Sequence, residues 1–136
     1  MNISSEHIQN SVYELGKKIG ASKSDTQVYF ESPQNGQPHV VISESEFKLV
    51  YEERGHIFKT KKTKELDTLL YWLLCAITSK LAQNYGLKNR CVGKDSRRVI
   101  FFKQIELMYE ISDLWAMRLK EEINDTLKRN PYVDRA

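Results

Sequence analysis

The sequence predicts an α+β domain in the order helix, antiparallel strands, long helix, long helix. Apolar residues recur at helical spacing over residues 5–20, at every second position between 27 and 61, and at helical spacing again from about residue 64. The period-two stretch forms one block flanked by helical patterns, so strands and helices are segregated along the chain rather than alternating.

In SEHIQNSVYELGKKIG, Ile8, Val12, Leu15 and Ile19 share one helical face, with Ser4 or Ser5 available as cap and Gly20 as stop. The runs QVYFE, HVVIS, EFKLVYEE and HIFKTK, separated by SPQNGQP, SES and RG, read as three or four antiparallel strands. Within the third, Phe47, Leu49 and Tyr51 point to one face and Lys48, Val50 and Glu52 to the other. From Lys64 to Tyr85 a helix carries Leu66, Leu70, Leu73, Ile77 and Leu81 on one stripe. Leu69, Tyr71, Trp72 and Leu74 make its middle apolar nearly all round, which implies burial on more than one side. GLKNRCVGK, residues 86–94, is the connection to the last helix. That helix starts at an Asp95 cap and meets no glycine or proline before Pro131. It therefore spans roughly 35 residues, about 50 Å, and is expected to bend or to project past its neighbour. Phe101, Ile105, Met108, Trp115 and Leu119 form its stripe, joined by Phe102, Ile111 and Leu114. The two long helices are expected to form an antiparallel hairpin against the sheet.

The 136 residues fit a single domain, 1–136, with 40% apolar and 29% charged residues, a composition ordinary for a soluble globular protein. There is no internal repeat and no low-complexity segment. Residues MNISSEHIQNS lack the basic start and apolar stretch of a secretory signal. The longest apolar run, Leu69 to Ile77, is nine residues, well short of the ~20 needed to span a bilayer. Cys75 sits in an apolar run and Cys91 in a polar connection, so a disulfide is not implied and a reducing cytoplasm is expected.

The net charge of +3 is unevenly spread: five cations and eight anions over residues 1–58, eleven and three over 59–103, and five and seven over 104–136. A basic patch in segment 59–103 attracts phosphate backbones. Lys59, Lys61, Lys62, Lys64, Lys88, Arg90, Lys94, Arg97, Arg98 and Lys103 are its members, but no nucleic-acid motif accompanies them. A small nucleic-acid-associated regulator is thus the alternative reading, and solvated surface the simpler one.

Catalytic and cofactor signatures are missing. His7, His39 and His56 are far apart and suit surface or strand-end positions, and no HExxH, CxxC or EF-hand spacing occurs. GxSxG, GxxxxGK[ST] and GxGxxG are also absent. Cys75 reads as packing on a buried helix face, and Cys91, with no local histidine, as a loop thiol. Glu52 and Glu53 lie on opposite faces of a regular strand and cannot act as one acid/base pair. The simpler reading of EERG is a hairpin in which Gly55 supplies a positive φ and Arg54 reaches a carboxylate. No enzyme, metal or cofactor is expected.

Two blocks stand out: Tyr51, Glu53, Arg54 and Gly55 in YEERG, a weak signal alone, and the stronger Asp95, Arg97, Arg98, Phe101 and Gln104 in DSRRVIFFKQ, whose polar residues at a fixed helical spacing are not demanded by packing. With Trp115, Glu121 and the terminal NPYVD they resemble the immunity-protein family numbered sixty-three of bacterial polymorphic toxin systems, over about residues 47–134. The resemblance implies a small cytoplasmic protein that binds the toxin domain of its own cell and blocks it without catalysis or cofactor. It identifies neither the toxin nor the contact surface. If the toxin is a basic nuclease, complementary potential favours the acidic segments. These are Glu44, Glu46 and Glu52 on the sheet side, or Glu106, Glu110, Asp113, Glu121, Glu122 and Asp125 on the last helix. Arg97 and Arg98 stand at a helix start, where the dipole disfavours cations. One of them, with Gln104, is expected to tie the helix to the strand hairpin through Glu53, the other facing outward.

Overall fold

The computed structural model describes residues 2–135. Its elements are α1 (Ser5–Lys17), β1 (Asn35–Ile42), β2 (Phe47–Glu53), β3 (His56–Thr63), α2 (Leu66–Lys88), α3 (Arg97–Ile111) and α4 (Asp113–Arg129). The α+β class and the order helix, antiparallel sheet, helices match the expectation. The chain divides into two compact units, residues 1–73 and 74–136, and α2 runs uninterrupted from one into the other.

In the first unit, α1 starts where the Ser4 hydroxyl accepts the amide of His7 at 3.1 Å. Its inward face buries Ile8 and Val12 completely. The sheet has the order β1-β2-β3, all antiparallel. Ser43 closes the first hairpin: its amide and hydroxyl both donate to the Glu46 carbonyl, at 3.0 and 2.9 Å. Arg54 and Gly55 close the second with φ of 51° and 78°. Two successive positive φ values define a type I′ turn, whose twist matches that of the strands it joins. Pro38 is tolerated because β1 is an edge strand, and the register shifts beside it. Phe47 and Leu49 are fully buried, each contributing about 2 kcal/mol of transfer free energy.

The run QVYFE forms no strand of the sheet. Gln9 of α1 occupies its backbone instead, donating to the Thr26 carbonyl at 2.9 Å and accepting the Val28 amide at 2.8 Å. Only Tyr29 reaches β1, through an isolated bridge to His39 and the Val40 amide donating to its carbonyl at 2.8 Å. His39 is buried in the middle of β1, not placed at a surface or strand end.

In the second unit, the remainder of α2 buries Leu74, Ile77, Thr78 and Ala82. A Cβ at Gly86 would lie 2.9 Å from Ile100 Cγ1, so glycine there permits the close approach of α3 to the end of α2. The long last helix is broken at Ser112, which is extended (φ −161°, ψ 124°) and whose hydroxyl accepts the Trp115 amide at 3.2 Å. A serine cap followed by Asp113 in the first turn starts a new helix there. The break resets the phase of the apolar stripe. Leu107, Met108, Ile111, Trp115, Ala116, Leu119 and Ile123 face inward, whereas Phe102 and Leu114, expected on the core stripe, are 70% and 79% exposed.

Candidate functional site

The second polar block builds a clasp at the start of α3. Asp95 Oδ1 accepts the Arg97 amide at 2.9 Å, and the Arg97 guanidinium lies against the same carboxylate, with Nη2 2.8 Å from Oδ2. Arg97 then donates to the carbonyls of Asn130 and Pro131, at 2.9 and 2.8 Å, behind the end of α4. Arg98 makes a side-on pair with Asp134, Nε to Oδ1 at 3.0 Å and Nη2 to Oδ2 at 2.8 Å. Backbone amides complete the ring: Asp95 donates to Asp134 Oδ1 at 2.9 Å and Val133 to Asp95 Oδ2 at 3.0 Å. Tyr132 packs beside the clasp, its ring centroid 4.2 Å from the Arg98 guanidinium carbon and 6.4 Å from the ring centroid of Phe101.

This arrangement explains the cations at the helix start. Each arginine is matched by a carboxylate at the same helix end, so the unfavourable dipole contact is offset locally. The Arg97 guanidinium, aided by the Val133 and Arg97 amides, holds the Asp95 carboxyl far below the usual carboxylate range. Arg98, then the Asp95 amide, lowers Asp134 in the same sense.

The expected tie through Glu53 is not formed. Arg97 and Arg98 both pair, with Asp95 and Asp134, because the returning C-terminal segment supplies a carboxylate and two free carbonyls beside them. Gln104 instead points inward, 7% exposed, and donates to the Cys75 carbonyl at 3.1 Å and to Thr78 Oγ1 at 3.3 Å. Cys75 is half-buried and Cys91 exposed, and neither forms a disulfide.

The first block is a local hairpin. Tyr51 is a platform for Phe58, 6.1 Å between centroids, and for Lys59, 5.3 Å from the ring centre. Glu53 faces His56 across the ladder, and Gln34 bridges the turn by donating to Glu52 and accepting the Gly55 amide. Arg54, which holds a positive φ in the turn, is exposed, and among the described residues no carboxylate lies within salt-bridge reach of it, so the expected contact to a carboxylate is not made. Trp115 is buried as core.

The acidic candidates separate into two groups. Glu44, Glu46 and Glu52 belong to the first unit, Glu44 and Glu46 at the β1-β2 turn and Glu52 engaged by Gln34. The other six lie on α3 and α4 and are all exposed. Glu106 pairs with Lys103 at 2.8 Å, Glu122 with Arg118 at 3.4 Å and Asp125 with Lys128 at 3.9 Å. Among the described residues, Glu110, Asp113 and Glu121 have no cation within salt-bridge distance. Phe102, Ile105, Glu106, Tyr109, Glu110 and Lys120 line an open groove of about 560 Å³. The exposure of Phe102, Leu114 and Met117 was not legible as long as α3 and α4 read as one helix; the Ser112-Asp113 cap was the available signal.

Of the basic residues, Lys59 and Lys61 sit over Tyr51 and Trp72, Lys103 over Tyr85, and Lys94, Arg97 and Arg98 pair with the clasp carboxylates. Most of segment 59–103 is therefore committed within the protein. Among the described residues no three of His, Cys, Asp and Glu are grouped so as to hold a metal ion, and no helix is long and apolar enough to cross a membrane.

The second unit thus presents a helical face with exposed apolar and acidic side chains. A family model described as Immunity protein 63 matches residues 44–125, and the chain belongs to that family. No curated protein and no solved structure matches the chain. The matched residues contain both polar blocks and all nine acidic candidates, while the Asn130–Asp134 half of the clasp lies beyond them.

Proposed function

We propose that this chain neutralises a cognate toxin domain by direct, stoichiometric binding in the cytoplasm of the cell that makes both. Membership of the immunity family carries the reading. It acts by occupying the toxin, with no catalytic step and no cofactor. The commitment of six of the eleven cations in segment 59–103 to rings and carboxylates of the chain itself argues against the nucleic-acid alternative.

The test is co-expression with the toxin domain encoded beside it. Cells survive, and the two proteins purify together as a complex. Survival without a complex points to an enzyme that repairs or modifies the toxin's target and contradicts the binding mechanism. Retention of mixed-sequence DNA or RNA that is lost steeply as salt rises supports the regulator instead.

A further inference from the structure

We propose that the solvent face of α3 and α4 is the toxin-docking surface, and that it takes a basic protein surface bearing an apolar side chain that enters the Phe102-Tyr109 groove. This rests on the immunity reading above and assigns that function to one face.

Phe102 and Tyr109 lie two helical turns apart on α3, 70% and 42% exposed, on the side opposite the buried Gln104, Leu107, Met108 and Ile111. On α4, Leu114 and Met117 stand one turn apart, 79% and 57% exposed, opposite Trp115, Ala116, Leu119 and Ile123. Phe102, Ile105 and Tyr109 line one open groove, and exposed apolar side chains grouped in a groove with a polar rim mark an interaction surface.

Charge identifies the occupant. Glu106, Glu110 and Lys120 line the groove and Glu121 follows Met117 by one turn on α4; Glu106 is paired with Lys103, while Glu110 and Glu121 have no cation within salt-bridge distance among the described residues. Glu110, Asp113 and Glu121 against the single groove lysine leave an excess of negative charge around the apolar anchors, which favours a partner that brings lysine or arginine to the rim. Other exposed apolar side chains lie on β3, where Ile57 and Phe58 are 56% and 53% exposed beside Lys59, Lys61, Lys62 and Lys64, and at the end of α2, where Tyr85 and Leu87 are 40% and 65% exposed near Lys88 and Arg90; both places have the opposite sign. The acidic turn bearing Glu44 and Glu46 has only Val41 as an exposed large apolar neighbour on β1.

The experiment measures affinity of the purified toxin domain for the full chain and for Phe102→Asp, the double variant Glu110→Lys with Glu121→Lys, and Ile57→Asp as the control on β3. Circular dichroism checks folding, and the charge variants stay informative if Phe102→Asp folds poorly. The first two variants weaken binding by at least ~30-fold, the scale of an interface hot spot. The control leaves it unchanged, and wild-type affinity falls as salt rises. Wild-type binding with full affinity retained in both α3-α4 variants overturns the assigned surface and leaves the immunity reading standing. Absence of wild-type binding overturns both. A wild-type dimer by light scattering that Phe102→Asp converts to monomer shows the face to be covered by a second copy and also overturns the assignment.

Discussion

Replacing Gln104 with glutamate exchanges one donor for an acceptor at nearly constant volume. Gln104 Nε2 donates to the Cys75 carbonyl at 3.1 Å and to Thr78 Oγ1 at 3.3 Å. The Thr78 hydroxyl already donates to the Leu74 carbonyl at 2.7 Å, so it faces Gln104 as an acceptor. Gln104→Leu forfeits one good and one long hydrogen bond, about 1–1.5 kcal/mol. A carboxylate at this position meets two oxygens in a nearly closed site, and desolvating it brings the loss to about 3 kcal/mol or more at pH 7. Burial raises the folded-state pKa of this glutamate above the unfolded value of about 4.3. The folded variant then binds the extra proton, so its stability deficit shrinks toward pH 5 and grows as pH rises. Urea unfolding at pH 5 and pH 7 of wild type, Gln104→Leu and Gln104→Glu reads all of this. A glutamate variant within about 0.5 kcal/mol of wild type at pH 7, or one with no pH trend relative to it, refutes the inward-donor account.

Asp134→Asn weakens the clasp, and hydrogen exchange accelerates at the Val133 and Arg135 amides, which donate to Asp95 and to the Gly93 carbonyl, while α3 and α4 core amides keep their protection. In the wild type both clasp carboxyls are depressed, so the stability they add is complete above the unfolded aspartate pKa of about 3.9 and is lost as pH falls through the lower folded values. The clasp amides therefore stay protected down to about pH 4; loss of protection already at pH 5 contradicts the assignment. Ser112→Ala removes the α4 cap and costs about 1 kcal/mol in urea unfolding. Because α2 crosses the boundary between the two units without interruption, they are expected to unfold together. Trp72→Phe and Trp115→Phe leave one fluorophore in each unit, and their melts should coincide in shape once corrected for any stability change.

The hairpin and helix order was legible because it depends on local signals: the RG turn, a period of two, and the Ser4 cap. What escaped depends on partners far along the chain. QVYFE has strand composition, but Gln9, 19 residues before Val28, takes the amide a ladder would have used. The clasp joins Asp95 to Val133 and Arg98 to Asp134, separations of 38 and 36 residues, so the motif was visible as unexplained charge while its partner was not. Glu53 was expected there from sign alone; the carboxylates that pair with the arginines, Asp95 and Asp134, belong to the second unit itself. The break at Ser112 was legible in Ser112-Asp113 and was outweighed by the lack of glycine or proline. That error placed Phe102 and Leu114 in the core and hid the apolar face on which the docking proposal stands.

The central claim is that protection is stoichiometric occupation of the toxin, and titrating a fixed amount of purified toxin domain with this chain while following toxin activity tests it most directly. The account predicts activity falling linearly to an end point at a fixed molar ratio, coincident with the end point of complex formation. Full protection at a small fraction of that ratio, or full toxin activity at an excess of chain, contradicts it.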